Sequence, residues 1–150
     1  MNEEEYAKYI SDKINRYSQV LSRNNFEKEH DNYYEKSKNI IQNYLPNGFK
    51  TYNHYFYHIK DNGKIIGYVW LKIEKEKESA FLYEIFLFEA VRSKGYGKKI
   101  MIDIERLLAD KHIKIFKLHV FGSNEHAINL YKSLDFSVAG INMYKNISEQ

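Results

Sequence analysis

The sequence predicts one α/β (α+β) domain in which helices cover both faces of a mixed, mostly antiparallel central sheet. Three observations carry this reading: two stretches of helical period before residue 45, an aromatic hairpin pattern after residue 52, and a strand, glycine turn and helix in succession between residues 80 and 110. The 150 residues suit a single core, so 1–150 is read as one domain. Hydrophobic residues make up 43% and charged residues 29%, which is globular composition and not the profile of disorder.

The elements follow in order. Over residues 3–22, Tyr6, Tyr9, Ile10, Ile14, Tyr17 and Leu21 recur at three- and four-residue spacings and predict an amphipathic helix that Asn2 to Glu5 enter directly. A second helix is predicted from about Glu27 to Tyr44, ended by Pro46-Asn47-Gly48. Asn53 to Lys60 and Lys64 to Ile73 flank Asp61-Asn62-Gly63, a two-residue hairpin signal, and predict paired antiparallel strands. The charged run 74–78 ends the hairpin, and Ala80 to Phe88 is apolar enough for a central strand. After Gly97, Ile100, Met101, Ile104, Leu107 and Leu108 define a helix to about Asp110. Ile115 to Phe121 reads as a strand, Ser123 or Asn124 caps a helix to about Ser133, and Phe136 to Lys145 reads as a last strand. The predicted order is α-α-β-β-β-α-β-α-β.

Composition excludes several classes of chemistry. With no cysteine there is no disulfide, thiolate metal site or cysteine nucleophile. His54 and His58 are four apart, a metal-pair spacing on a helix, but on a strand it separates them by about 13 Å, so no metal is expected. An acidic start without an apolar core region, and no run of about 18 apolar residues, predict a cytoplasmic protein with no membrane partner. The net charge of +3 is too balanced for a nucleic-acid binder. It hides an asymmetry, since residues 92–117 hold eight basic and three acidic side chains.

The segment Arg92-Ser93-Lys94-Gly95-Tyr96-Gly97-Lys98 joins the apolar strand to the amphipathic helix. Its glycines permit positive φ and close approach of a ligand, and the helix start beyond presents unpaired amides, an arrangement that cradles a pyrophosphate. A tight turn with solvated lysines is the other reading of these residues. The segment matches neither a Walker A loop nor a dinucleotide fingerprint.

Arg92-x-x-Gly95-x-Gly97 after a strand resembles the Gln/Arg-x-x-Gly-x-Gly/Ala signature of the GNAT superfamily of acetyl-CoA-dependent N-acetyltransferases. Asn124-x-x-Ala127-x-x-Leu130-Tyr131-x-x-x-Asp135-Phe136 is similar to that family's Asn-x-x-Ala-x-x-Leu-Tyr-x-x-x-Gly-Phe element. The resemblance covers residues 53–145, and Leu45 to Gly48, Asn53 to Tyr57 and Ile141 to Lys145 look like a bacterial subgroup of unassigned substrate.

The resemblance implies a transferase with acetyl-CoA as donor cosubstrate. Amides of Arg92, Ser93, Lys94, Gly95, Tyr96, Gly97 and Lys98 would hold its pyrophosphate, and the backbone of Ile85, Phe86 and Leu87 would pair with the pantetheine arm. A bulge in that strand would aim the Leu87 amide at the thioester oxygen. Glu84 is the expected general base, its pKa raised by burial, unless it faces solvent or pairs with a lysine. Tyr131 matches the tyrosine that protonates the departing thiolate, and Asn124 caps its helix, bonds the pantetheine, or both. The acceptor would be a primary amine of a small molecule or peptide, with a homodimer compatible. The alternative is an acyl-CoA-binding sensor or docking module with little catalysis. Asp135 stands where the family has glycine, and Asp tolerates left-handed backbone.

Overall fold

The computed structural model describes residues 1–24 and 32–147. Helix α1 spans Glu3–Arg23 and opens with a reciprocal cap, in which the Asn2 side chain accepts from the Glu5 amide and the Glu5 carboxylate accepts from the Asn2 amide. Helix α2 spans Tyr33–Tyr44, with Asn32 accepting from the Tyr34 and Glu35 amides. The part of the predicted second helix before residue 32 lies outside the described residues. Strands β1 (His54–Asp61) and β2 (Lys64–Glu74) pair antiparallel through a turn in which Asn62 and Gly63 have φ of 51° and 78°, the mirror-image geometry that suits a twisted hairpin. β3 (Ser79–Leu87) lies antiparallel to β2 and is followed by helix α3 (Tyr96–Asp110). β4 (Ile115–Leu118) lies parallel to β3, and helix α4 (Glu125–Ser133) follows. The sheet order is β1-β2-β3-β4, three antiparallel strands and one parallel, which is the mixed, mostly antiparallel sheet that the sequence predicts with four strands in place of five.

Each face of the sheet carries its own core. On one, Ile100, Met101, Ile104 and Leu108 of α3 pack on Val69, Leu71, Ile73, Ala80 and Leu82. On the other, Tyr9 and Ile14 of α1 and Ile41 of α2 pack on Phe56 and Trp70. β2 is buried from both sides: Trp70 is 1% exposed and Leu71 0%. Many of the tyrosines and phenylalanines fill the second face, where the Trp70 ring stacks on Tyr83 at 4.5 Å and packs against Phe56 at 5.6 Å.

Gly67 sits at the crowded pairing of β2 with β3. It faces Leu87, and a methyl built on its Cα would overlap the Phe86 carbonyl oxygen, which is backbone and cannot rotate away. Gly67→Ala is expected to cost about 3 kcal/mol or more, the upper end of overpacking penalties. Urea unfolding checks this as a lowered midpoint with an unchanged slope.

Two strand predictions are corrected. β4 ends at Leu118 and not at Phe121, and Phe136 to Lys145 forms no strand. The Phe136 amide bonds back to the Tyr131 carbonyl at 3.0 Å, and Asp135 takes φ 69°. The turn expected at Asp135 is therefore kept without glycine. The Phe136 ring docks on Phe116 and Tyr131, after which residues 137–147 are exposed and join no sheet.

Candidate active site

The site grows from the end of β3. Between Trp70 and Leu71 the pairing slips by one residue, so Leu82 faces Leu71, Glu84 faces Trp70, and Tyr83 is the extra residue of a bulge. The bulge expected at Ile85 to Leu87 thus lies at Tyr83. It turns two successive side chains toward the α1–α2 side, Tyr83 stacking on Trp70 and Glu84 meeting α1. Beyond Leu82 and Leu118 the pairing of β3 with β4 stops while β3 runs on to Leu87. The Phe88 amide donates to the Ile66 carbonyl at 2.9 Å. Strand alternation then directs the Ile85 and Leu87 amides to the opposite edge, toward the gap between β3 and β4.

The gap leads to the α3 N-terminus. Ser93 and Gly95 both have left-handed φ, 63° and 81°, and fold the chain sharply into the helix. Gly95 is the cap residue and offers no side-chain hydrogen bond, so the Tyr96, Gly97 and Lys98 amides begin the helix without a side-chain acceptor. A Cβ on Gly95 would meet nothing within 4 Å, and its glycine is required by backbone conformation. Gly97 lies beside α4, where a Cβ would meet the Leu130 side chain at 3.4 Å, an ordinary van der Waals contact. Arg92 donates from Nε to the Leu87 carbonyl at 2.8 Å and lies 5.1 Å from the Phe86 ring. Its side chain therefore closes the turn. The Tyr96 hydroxyl donates to Asp61 at 2.7 Å and ties the start of α3 to the β1–β2 hairpin.

The basic excess of residues 92–117 is not gathered at this loop. α3 is about 22 Å long, which puts Lys111 and Lys114 at its far end. Lys114 pairs with Glu78 at 3.0 Å and Arg106 with Asp103 at 3.7 Å. Arg92, Lys94, Lys98 and Lys99 are the basic side chains of that group set around the cradle itself.

Glu84 is where the structure departs furthest from expectation. Tyr9, Lys13 and Arg16 project from successive turns of α1 and converge on its carboxylate. The Tyr9 hydroxyl donates to Oε1 at 2.9 Å, Lys13 Nζ to Oε2 at 3.0 Å, and Arg16 to both oxygens at 2.7 and 3.1 Å. Burial pushes the Glu84 pKa up, but the two cations outweigh it and hold the group below the ordinary glutamate value. The expected upward shift is corrected, because the cations supply more than burial removes. Tyr9 is pushed well above the usual phenol range by burial and the adjacent carboxylate. The Arg16 guanidinium also lies 3.8 Å from the Phe86 ring centroid. The spacing of Tyr9, Lys13 and Arg16 along one helix face is the sequence signal for this cluster, and its target becomes visible only once the bulge turns Glu84 toward them.

Tyr131 is half-buried on α4 against Phe136, ring centroids 5.7 Å apart. Its hydroxyl has no hydrogen-bond partner among the described residues, and burial raises its pKa above 10. Asn124 caps α4 by accepting from the Ala127 amide at 3.2 Å. Next to it, the Ser123 hydroxyl donates to Asn24 at 2.8 Å, joining the end of α1 to the β4–α4 loop. Of the two strand histidines, His54 accepts from Trp70 Nε1 and its pKa falls to about 4 by burial, while His58 lies 3.6 Å from Glu5. On the neighbouring face of α1, Tyr6, Ile10 and Ile14 line a cavity of about 430 Å³ with Ile41, Leu45 and Pro46.

A β3 that parts from its parallel neighbour and feeds a glycine-turned helix start leaves a gap between two strands that ends at a helix N-terminus. Residues 15–136 match the family described as acetyltransferase (GNAT) family, and the chain belongs to it. It is similar to the uncharacterized N-acetyltransferase YdgE of Bacillus subtilis, 34% identical over 118 residues, 76% of this chain and 74% of that one. It is also similar to the uncharacterized N-acetyltransferase YycN of the same species, 32% identical over 114 residues, 74% of this chain and 73% of that one. The crystal structure of YycN superposes with a TM-score of 0.92 at 29% identity, covering 99% of this chain and 96% of that chain. A Bacillus subtilis acetyltransferase crystallised in complex with CoA shares the fold, with TM-score 0.57 and 19% identity over 71% of this chain and 65% of that one. No helix among the described residues is long and apolar enough to cross a membrane.

Proposed function

We propose that this chain moves an acetyl group from acetyl-CoA directly to a primary amine of a small molecule or peptide. The observation that carries the reading is the open edge of β3 running into a helix start without a side-chain cap. Such a groove offers amides along its length and at its end, the donors that suit an amide-rich arm ending in a pyrophosphate. The CoA-bound fold neighbour and the family membership support the same cosubstrate.

Acetyl-CoA would supply the thioester that an amine attacks. Amides of residues 93–98 hold the pyrophosphate, without that of Arg92, which donates to the Glu89 carbonyl at 3.2 Å; Ile85 to Leu87 pair with the pantetheine arm, and Asn124 keeps the β4–α4 loop in place. The Leu87 amide donates to the thioester oxygen as negative charge grows on it. Tyr131, a phenol kept protonated by burial, gives its proton to the departing thiolate. Glu84, ion-paired and held as a carboxylate, fastens α1 to β3, and the acceptor ammonium loses its proton to water. The test is calorimetric titration with acetyl-CoA, followed by thiol release against a panel of amines. Binding with acceptor-dependent release is expected. Binding without release across a broad panel would favour an acyl-CoA sensor, and no binding would overturn the cradle.

A further inference from the structure

The β1–β2 hairpin reaches past the end of β3. The last pair of β3 with β2 is Leu87 with Gly67, so the hairpin tip, residues 60–66, overhangs beside the chain that leaves β3 for α3. Within the overhang the pairing slips: Ile59 faces Gly67 and Lys60 faces Ile65, which leaves Ile66 as the extra residue of a bulge. Ile66 is 4% exposed, and its carbonyl accepts from the Phe88 amide at 2.9 Å. The bulge thus bonds the overhang to the first residue after β3, and Asp61 at the tip stands within reach of α3.

Tyr96 is the first residue of α3 and lies inside the cradle, between Gly95 and Gly97. Its ring is half-buried against the core on the α3 side of the sheet, and its hydroxyl donates to Asp61 Oδ2 at 2.7 Å. A bond of this kind to a carboxylate is charge-assisted. It also raises the Tyr96 phenol above its ordinary pKa, so the donor keeps its proton. Lys60 precedes Asp61 and Lys64 faces it, yet neither forms an ion pair with it among the described residues. The carboxylate is committed to Tyr96. The turn it holds is one that needs holding, since Ser93 takes a left-handed φ of 63° without being glycine and Gly95 offers the helix no side-chain cap. Arg92 ties the entry of this turn to the Leu87 carbonyl, and Tyr96 ties its exit to the hairpin.

We propose that Asp61 is a positioning residue for the cosubstrate: acting through Tyr96, it fixes the first turn of α3 so that the amides of residues 96–98 stay aimed at the pyrophosphate. The inference rests on the acetyl-CoA reading above. A carboxylate near an anion site repels the anion as a bare charge, so an anchor and a bystander have opposite signs. Removing a bystander charge tightens binding, and removing an anchor loosens it. The effect is confined to the part of the cosubstrate that α3 holds, because the open edge of β3 does not depend on the hairpin tip.

Calorimetric titration with CoA tests this. Asp61→Ala and Tyr96→Phe should each weaken binding about tenfold, the worth of one hydrogen bond to a charged group. The double variant should bind no more weakly than either single one, since each removes the same bond. Asp61→Asn keeps an acceptor for the hydroxyl and loses the charge, so it should bind CoA at least as tightly as the wild type. S-acetylpantetheine lacks the pyrophosphate and should bind wild type and Asp61→Ala alike. If Asp61→Ala loses the helical circular dichroism of the wild type, Tyr96→Phe, which keeps its ring in the core, carries the same comparison. CoA affinity at or above the wild-type value in the variants that lack the bond would overturn the role of Asp61 and leave the acetyl-CoA reading standing. Equal losses for CoA and S-acetylpantetheine would make the contact one of general packing and overturn it too. A wild-type chain that binds no CoA overturns both readings.

Discussion

Glu84→Gln is expected to lower the unfolding free energy by about 3 kcal/mol, because the substitution leaves Lys13 in a half-desolvated place without a counter-charge and Arg16 with only the exposed Asp12 carboxylate. The low end of the range for broken buried pairs applies, since those side chains keep 13% and 22% of their surface exposed. Its pH dependence has a definite sign. The folded pKa of Glu84 lies below its unfolded value, so its contribution is fully present above about pH 4.5 and is lost as the pH falls through the folded pKa. The difference between wild type and Glu84→Gln in urea unfolding should therefore be constant from pH 7 to 5 and shrink toward pH 3. A difference that grew on acidification would contradict the ion pairing. If Glu84 instead acted as the base, the variant would lose turnover at undiminished stability.

Tyr131→Phe is expected to lower turnover by about 10²- to 10⁴-fold, the usual contribution of a positioned proton donor. The phenylalanine keeps the ring contact with Phe136, so acetyl-CoA affinity and stability should stay at wild-type values. Because burial raises the phenol pKa, no loss of activity due to this group should occur below about pH 10. Steady-state rates beside a calorimetric titration of each protein make the comparison. An unchanged rate would take Tyr131 out of the mechanism, and a parallel loss of affinity would make its role one of packing.

Much of the site is legible in the amino-acid sequence, for local reasons. Asn62-Gly63 sets the hairpin because both residues must take positive φ, and Gly95 sets the entry to α3 for the same reason. The cap at Asn2 and the period of α1 are likewise contained within a few residues. The motif around Asn124 and Tyr131 can be read because helical spacing and capping alone place its residues.

Other features depend on residues distant in the chain. Sequence pattern cannot say whether Glu84 is a raised, reactive acid or a paired one, because the answer lies with Lys13 and Arg16, 71 and 68 residues earlier. Nor can it place the bulge at Tyr83, which is a matter of register between two strands. The reading of Phe136 to Lys145 as a strand shows the same limit: alternation states what a segment can do, while its contacts in the folded chain decide whether it does so. Local pattern therefore suffices for the order of elements through β4 and α4, the glycine-turned cradle and the family. The charge state of Glu84, the opening between β3 and β4, and the exposure of residues 137–147 are set by the folded chain, since each depends on contacts between segments that no local pattern records.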